Sequence, residues 1–249
     1  MEIENFLPQD AYAALNKISS CQTEAEVAAV TKQVVIALGA TSYVYSTLTS
    51  DDRRDDRESY RYSIGCDPQW CRIYNERKWF MNDPFIEYSR HNTEPVMADQ
   101  IVLQTSGQIE MMRVAATYGF KSGMVIPTHS SQNANERIGL LYIGVDQPPE
   151  IGNQLVYRHR ISYRALGMEL LDWWIRFLRA NAARKFNLSE EEIVLLQQTK
   201  NGFAVTEISA KLGSTPSKLY RQLSVIKDKF NVDKIGDAVA IASFNGLLG

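Results

Sequence analysis

Apolar positions recur along this chain with two different periods, and the change of period marks its parts. Val27, Val30, Val34, Val35 and Leu38 lie three or four residues apart, which predicts a helix over 23–38. Thr23 and Glu26 suit its start as a capping pair, and Gly39 suits its end. A shorter helix is predicted before it, over 8–19. Residues 41–48 (TSYVYSTL) are rich in Tyr, Val and Thr and predict a strand. Residues 58–64 alternate Tyr60, Tyr62 and Ile64 against Arg61 and Ser63, a return strand after the charged turn at 51–56.

Further helices are expected at about 68–77, directly after Pro84, and over 106–118 with Ile109, Met112, Val114 and Ala115 inward. A strand at Met124–Pro127 and its hairpin partner at 138–145 flank a polar loop at 130–136. Helices alternating with antiparallel strands predict an α/β/α sandwich. Residues 154–180 predict one long helix. Its apolar positions Ile161, Ala165, Leu166, Met168, Leu171, Trp174, Ile175 and Leu178 cover more than one stripe. The second stripe predicts dimerisation, the alternative being a helix enclosed within one domain.

Four helices follow the polar stretch 181–187. Ser189 with Glu190, Glu191 and Glu192 opens the first, and Val205–Leu212 forms the second. After Gly213 the third runs over Ser214–Phe230, with Leu219, Leu223, Ile226 and Phe230 inward; the fourth covers about 236–245. The expected class is therefore α+β: a sandwich domain over 1–180, a linker over 181–187 and an all-α domain over 188–249. Two short helices, a Gly turn and a basic third helix are the arrangement of a helix-turn-helix DNA reader.

Composition changes this picture little. A length of 249 residues suits two domains. The net charge of −2 hides a gradient, since residues 181–249 hold 9 Lys and Arg against 7 Asp and Glu. No apolar run reaches membrane-spanning length, and MEIENFLPQD lacks the pattern of a secretory signal. Cys21, Cys66 and Cys71 lack zinc-ligand spacing and fit free thiols, so a cytoplasmic location is expected. No metal ligands and no catalytic residues are expected. His91, His129 and His159 have no metal spacing, and no nucleophile motif is present.

The stretch Asp67–Pro84 sets Trp70 and Tyr74 on one helical face, followed by Asp83-Pro84. Read alone, it is either aromatic core with Asp83 as a helix cap, or the wall of a small-molecule site. Residues 188–249 resemble the LuxR-type DNA-binding domain. Glu192, Leu196 and Gly202 carry the likeness, with Ile208-Ser209 and Lys229-Phe230-Asn231-Val232. Lys218-Leu219 and Ile235 depart from the common pattern. One branch of that family adds an autoinducer-binding domain marked by Trp-x3-Tyr-x8-Asp-Pro, a second Trp and a Gly. Trp70, Tyr74, Asp83, Pro84 and Gly123 fill five of these six positions, and Ala98 stands at the second Trp. The whole chain thus resembles a LuxR-type quorum-sensing regulator.

The resemblance implies a regulator without enzymatic activity or cofactor, with an acyl-homoserine lactone as signal. Trp70 would donate its indole N–H to the lactone carbonyl, Tyr74 would bound the site, and Asp83 would accept from the ligand amide. Tyr142 would reach the acyl carbonyl or a 3-oxo group. Tyr62, Ala98 and Gly123 would complete the site. Tyr220, Arg221 and Ser224 would face DNA bases, and Ser217, Lys218 and Lys227 would hold phosphates. The implied partners are a second copy of the chain, an inverted-repeat operator in double-stranded DNA and RNA polymerase, with no membrane. Ala98 leaves a Trp-sized space for Met97 or a bulkier ligand to fill. It keeps open a solo regulator that responds to a non-lactone compound.

Overall fold

The computed structural model describes residues 8–48, 61–129 and 138–248. The charged run 51–56, Tyr60 and the polar loop 130–136 lie outside them. The chain divides into two compact units, 1–173 and 174–249.

The first unit is built on a five-stranded antiparallel sheet in the order β2-β1-β5-β4-β3. The strands are β1 (Ser42–Leu48), β2 (Arg61–Ile64), β3 (Val96–Met97), β4 (Ser122–His129) and β5 (Ile138–Val145). Its helices are α1 (Gln9–Leu15), α2 (Glu24–Ala37), α3 (Pro68–Glu76), α4 (Pro84–His91), α5 (Ser106–Thr117), α6 (Pro149–Tyr157) and the start of α7 (Arg160–Lys185).

Strand periodicity sorts side chains onto two faces. Val44, Leu140, Tyr142 and Val125 share one face with Trp70, Phe85, Met111 and Phe120 in a single buried cluster. On the other face, Tyr43 donates to the Ala28 carbonyl of α2 at 3.0 Å. On that face too, the glycines of α6 and α7 allow close approach. A Cβ on Gly152 would lie 1.8 Å from Ser122 Oγ, and one on Gly167 would lie 2.7 Å from Thr128. The sheet is therefore covered on both sides, as the α/β/α pattern requires.

Several local expectations change. The helix expected over 154–180 is two helices, and α6 begins earlier, at Pro149, whose fixed φ suits a first helical position. Apolar periodicity continues across the Arg158–His159 turn and hides the break. The inward face of α5 is Gln108, Met111 and Ala115, whereas Ile109 is exposed. The capping box sets this phase. Thr105 accepts from the Gln108 N–H, and the Gln108 side chain reaches back to Gln104 and Thr105 and donates to Asn82. Strand β3 is too short to carry periodicity. It pairs only with Val125 and Met124, so among the described residues Pro127 of β4 has a strand partner, Leu140, on the β5 side alone.

The second unit is all-helical: the end of α7, then α8 (Glu190–Lys200), α9 (Val205–Lys211), α10 (Pro216–Phe230) and α11 (Ile235–Phe244). Ile193, Leu195, Leu196, Ile208, Leu219, Leu223, Ile226 and Phe230 form its core. Ser189 and Glu192 close a capping box at the start of α8. Gly213, at φ +59°, makes the turn between α9 and α10. Asn231 ends α10 in the left-handed region at φ 55°.

Candidate functional site

A cavity opens between the sheet and α3, α4 and α5. Trp70, Cys71, Tyr74 and Asn75 come from α3, Asp83, Phe85 and Ile86 from the start of α4, and Met111, Met112 and Ala115 from α5. Val44, Ser46, Tyr62, Leu140 and Tyr142 of the sheet close it. Its empty volume, open mouth included, is about 640 Å³.

Local sequence explains how each polar group is aimed. Asp67 caps α3 by accepting from the Gln69 N–H at 2.8 Å, and Pro68 starts the helix. Trp70 and Tyr74 then fall one turn apart, with ring centroids 5.8 Å apart. Asp83 caps α4 through Oδ1, which accepts from Phe85 N–H at 2.7 Å and Ile86 N–H at 3.4 Å. Its other oxygen, Oδ2, accepts from the Tyr74 hydroxyl at 2.6 Å. Asp83 is thus a helix cap that also lines the cavity. Burial pushes its carboxyl above the usual carboxylate range, against the lowering effect of those three donors.

Tyr142 is 7% exposed, and its hydroxyl has no hydrogen-bond partner among the described residues. Its ring is held by Phe120, stacked at 5.1 Å, and by Phe85 at 4.9 Å. Burial raises its pKa, and the Asp83 and Asp99 carboxylates add to the shift, so the phenol stays neutral and keeps its proton. An acceptor entering the cavity would relieve a buried donor whose isolation costs about 1–3 kcal/mol.

Of the seven ligand-site residues expected from sequence, the cavity gathers Tyr62, Trp70, Tyr74, Asp83 and Tyr142. Tyr62 is 44% exposed, so it stands where the cavity meets solvent. Gly123 and Ala98 are not in the wall. Gly123 works from behind: a Cβ there would lie 2.1 Å from the Ile143 carbonyl oxygen and 2.9 Å from the Tyr142 ring. Ala98 sits in the same buried cluster as Trp70 and Tyr142. Met97 does not join that cluster. It pairs with Met124, on the opposite face. The cluster's second indole is Trp79, whose ring lies 5.7 Å from Trp70 and carries the Arg77 guanidinium over it at 5.1 Å.

In the second unit, Ser217, Lys218, Tyr220, Arg221 and Ser224 form one exposed side of α10, and Lys227 is half-buried. Thr215 caps this helix by accepting from the Lys218 N–H. The buried stripe Leu219, Leu223, Ile226 and Phe230 fixes which side faces out. Glu192, 8% exposed, accepts from Lys229 at 2.7 Å on both oxygens and from the Ser189 N–H. Burial alone would raise its pKa, but Lys229 and Ser189 hold it below the usual range.

Comparison with known proteins shows the family. Residues 23–162, more than half of the chain, match the family model of the autoinducer binding domain. The chain belongs to the autoinducer-binding family. That family binds ligands and is not enzymatic. Two solved structures match its fold over nearly the whole chain. One is SdiA in complex with octanoyl-rac-glycerol, at 14% identity and TM-score 0.64, covering 98% of this chain and 97% of that one. The other is Escherichia coli SdiA, at 16% identity and TM-score 0.65, covering 96% and 98%. CepR2 from Burkholderia cenocepacia is described as an N-acylhomoserine lactone-dependent LuxR family transcription factor. It matches at 17% identity and TM-score 0.56, covering 68% of this chain and 95% of its own. A comparison with curated protein sequences gives no match. The fold is thus that of a LuxR-type regulator. Among the described residues of this family member, no helix is long and apolar enough to cross a membrane, and no acid, His and Cys cluster could hold a metal ion.

Proposed function

We propose that this family member is a cytoplasmic transcriptional regulator of quorum sensing, with an acyl-homoserine lactone seated between the sheet and α3–α5. The observation that carries this reading is the convergence of Trp70, Tyr74, Asp83 and Tyr142 on one apolar cavity, with the Tyr142 donor unpaired. Trp70 would hold the lactone carbonyl, Asp83 the amide N–H and Tyr142 the acyl carbonyl or a 3-oxo group. Phe85, Met111, Met112 and Leu140 would enclose the acyl chain, at about 0.8 kcal/mol per buried CH₂.

As a homodimer it would bind an inverted-repeat operator, with Tyr220, Arg221 and Ser224 toward the bases and Ser217, Lys218 and Lys227 toward phosphates. RNA polymerase would be its partner at the promoter. The exposed stripe of Ile161, Ala165 and Met168 on α7 supports the homodimer. Reading 1–180 as the sensing part, 181–187 as the linker and 188–249 as the DNA-binding part fits this division of labour.

A second reading rests on Asp83. Three donors already satisfy its carboxylate, so a ligand without an N–H is not penalised there. A solo regulator taking a non-lactone acyl compound fits that feature, and SdiA has been seen with octanoyl-rac-glycerol. The test is a thermal-shift series of acyl-homoserine lactones of graded length, run beside octanoyl-glycerol, on wild type and Asp83→Asn. Asn caps a helix about as well as Asp, so the variant keeps the α4 cap and changes only the carboxylate position that faces Tyr74 and the cavity. Lactone stabilisation lost in Asp83→Asn supports the first reading. Stabilisation by the glycerol ester alone supports the second, and no shift with any compound contradicts the site.

A further inference from the structure

Cys71 lies in the cavity wall between Trp70 and Tyr74, and its sulphur stands 3.9 Å from that of Cys66. Cys66 lies in the short link from β2 to α3, just before the capping residue Asp67, and is not in the wall. Both side chains are partly exposed, so a small solute reaches them. Two thiols in contact, five residues apart across a helix start, are not needed by the lactone contacts proposed above.

We infer that Cys66 and Cys71 are an oxidisable pair, closing to a reversible disulfide that reshapes the signal cavity. The oxidant class is a peroxide. The Cys71 thiolate attacks one peroxide oxygen, the O–O bond breaks, hydroxide leaves, and Cys71 becomes a sulfenic acid. The Cys66 sulphur then attacks the Cys71 sulphur. The S–O bond breaks, water leaves with the Cys66 proton, and the S–S bond forms. Two thiols are oxidised to a disulfide and one peroxide is reduced to two waters.

Geometry assigns the roles. Cys71 lies in the first turn of α3, whose positive end favours a thiolate, and it lines the open cavity where a peroxide meets it, whereas Cys66 lies outside both the helix and the wall. Cys71 is thus the attacking sulphur and Cys66 the resolving one. Cys21, whose thiol burial raises, has no such partner and serves as an internal control. Closure to about 2.05 Å draws the Cys71 sulphur toward Cys66 and out of the wall, beside Trp70. The reduced form then binds the signal more tightly, and by linkage the bound signal opposes closure.

The test uses the full chain and needs no ligand for its first arm. Trypsin releases residues 62–72 with both cysteines on one peptide. After hydrogen peroxide that peptide is expected to be lighter by two hydrogens, with the loss reversed by dithiothreitol. Cys66→Ser should instead trap a sulfenic acid at Cys71, captured by dimedone. Two free thiols remaining while Cys21 is oxidised would overturn the inference. The second arm measures stabilisation by octanoyl-homoserine lactone, and it rests on the lactone reading above. The shift should fall by about half or more on oxidation of wild type and return in full once dithiothreitol reopens the disulfide. An unchanged shift in the disulfide form overturns the link to the cavity. A reduced protein without any shift would instead count against the lactone reading, and the peptide mass would still decide the disulfide.

Discussion

Asp83 and Glu192 are both buried acids at the first turn of a helix, yet their surroundings treat them oppositely. Asp83 is held by neutral donors alone, two backbone N–H groups and the Tyr74 hydroxyl. Burial therefore prevails and its pKa rises. Glu192 has a backbone N–H and, in addition, the Lys229 ammonium on both oxygens, and its pKa falls. The second unit thus gives Glu192 a cation of its own. Among the described residues, the first leaves the Asp83 carboxylate without a cation and the Tyr142 phenol without an acceptor, with empty space beside them.

The largest test of this contrast removes an aromatic wall. Trp70→Ala should destabilise the first unit by about 3–5 kcal/mol, read as lost hydrogen-exchange protection over 61–129, with protection over 190–244 unchanged. Equal loss in both units would deny that their cores are separate. Glu192→Gln should cost the second unit about 2–3 kcal/mol in the same measurement. That is below the value for a fully enclosed pair, because the Lys229 side chain is 24% exposed. A neutral result would make the ion pair ornamental. Ala98→Trp should cost about 1–3 kcal/mol by overpacking, since Ala98 is buried in a filled cluster and lies outside the cavity wall. A gain in stability or in lactone affinity would place an unfilled space there.

Acid should separate the units by sign. A raised folded-state pKa at Asp83 means the folded form binds the proton more tightly. Its contribution to the first unit therefore improves as pH falls through that pKa into the ordinary carboxylate range. A lowered pKa at Glu192 means stability present above the ordinary range is lost as pH falls through the folded value. Protection measured from about pH 6 to about pH 3.5 should show these opposite slopes, abolished respectively by Asp83→Asn and Glu192→Gln.

Legibility in the sequence followed the range of the interactions. Trp70 and Tyr74 could be found because one helix sets their spacing, and Asp83 because it caps the next helix ahead of Pro84. The second unit was readable because its helices alternate with clear turn residues. Val44, Leu140, Phe85 and Met111 look like any core positions, and only the β1–β5 pairing brings Val44 opposite Tyr142 across nearly a hundred residues. The alternation of apolar residues in β1 and β5 was the available signal, but it does not say which face holds a cavity. The phase of α5 turned on Gln108, a polar residue facing inward for hydrogen bonds that periodicity does not register. Cys71 was visible as a neighbour of Trp70, but its contact with Cys66 depends on how the chain turns into α3.

The most direct measurement compares Tyr142→Phe with wild type, with and without octanoyl-homoserine lactone, by thermal melting. Removing an unpaired buried hydroxyl should leave the empty protein as stable or up to about 1 kcal/mol more stable, while the lactone-induced shift shrinks. A less stable empty protein, or an undiminished lactone shift, would contradict the claim that this hydroxyl is kept for the ligand.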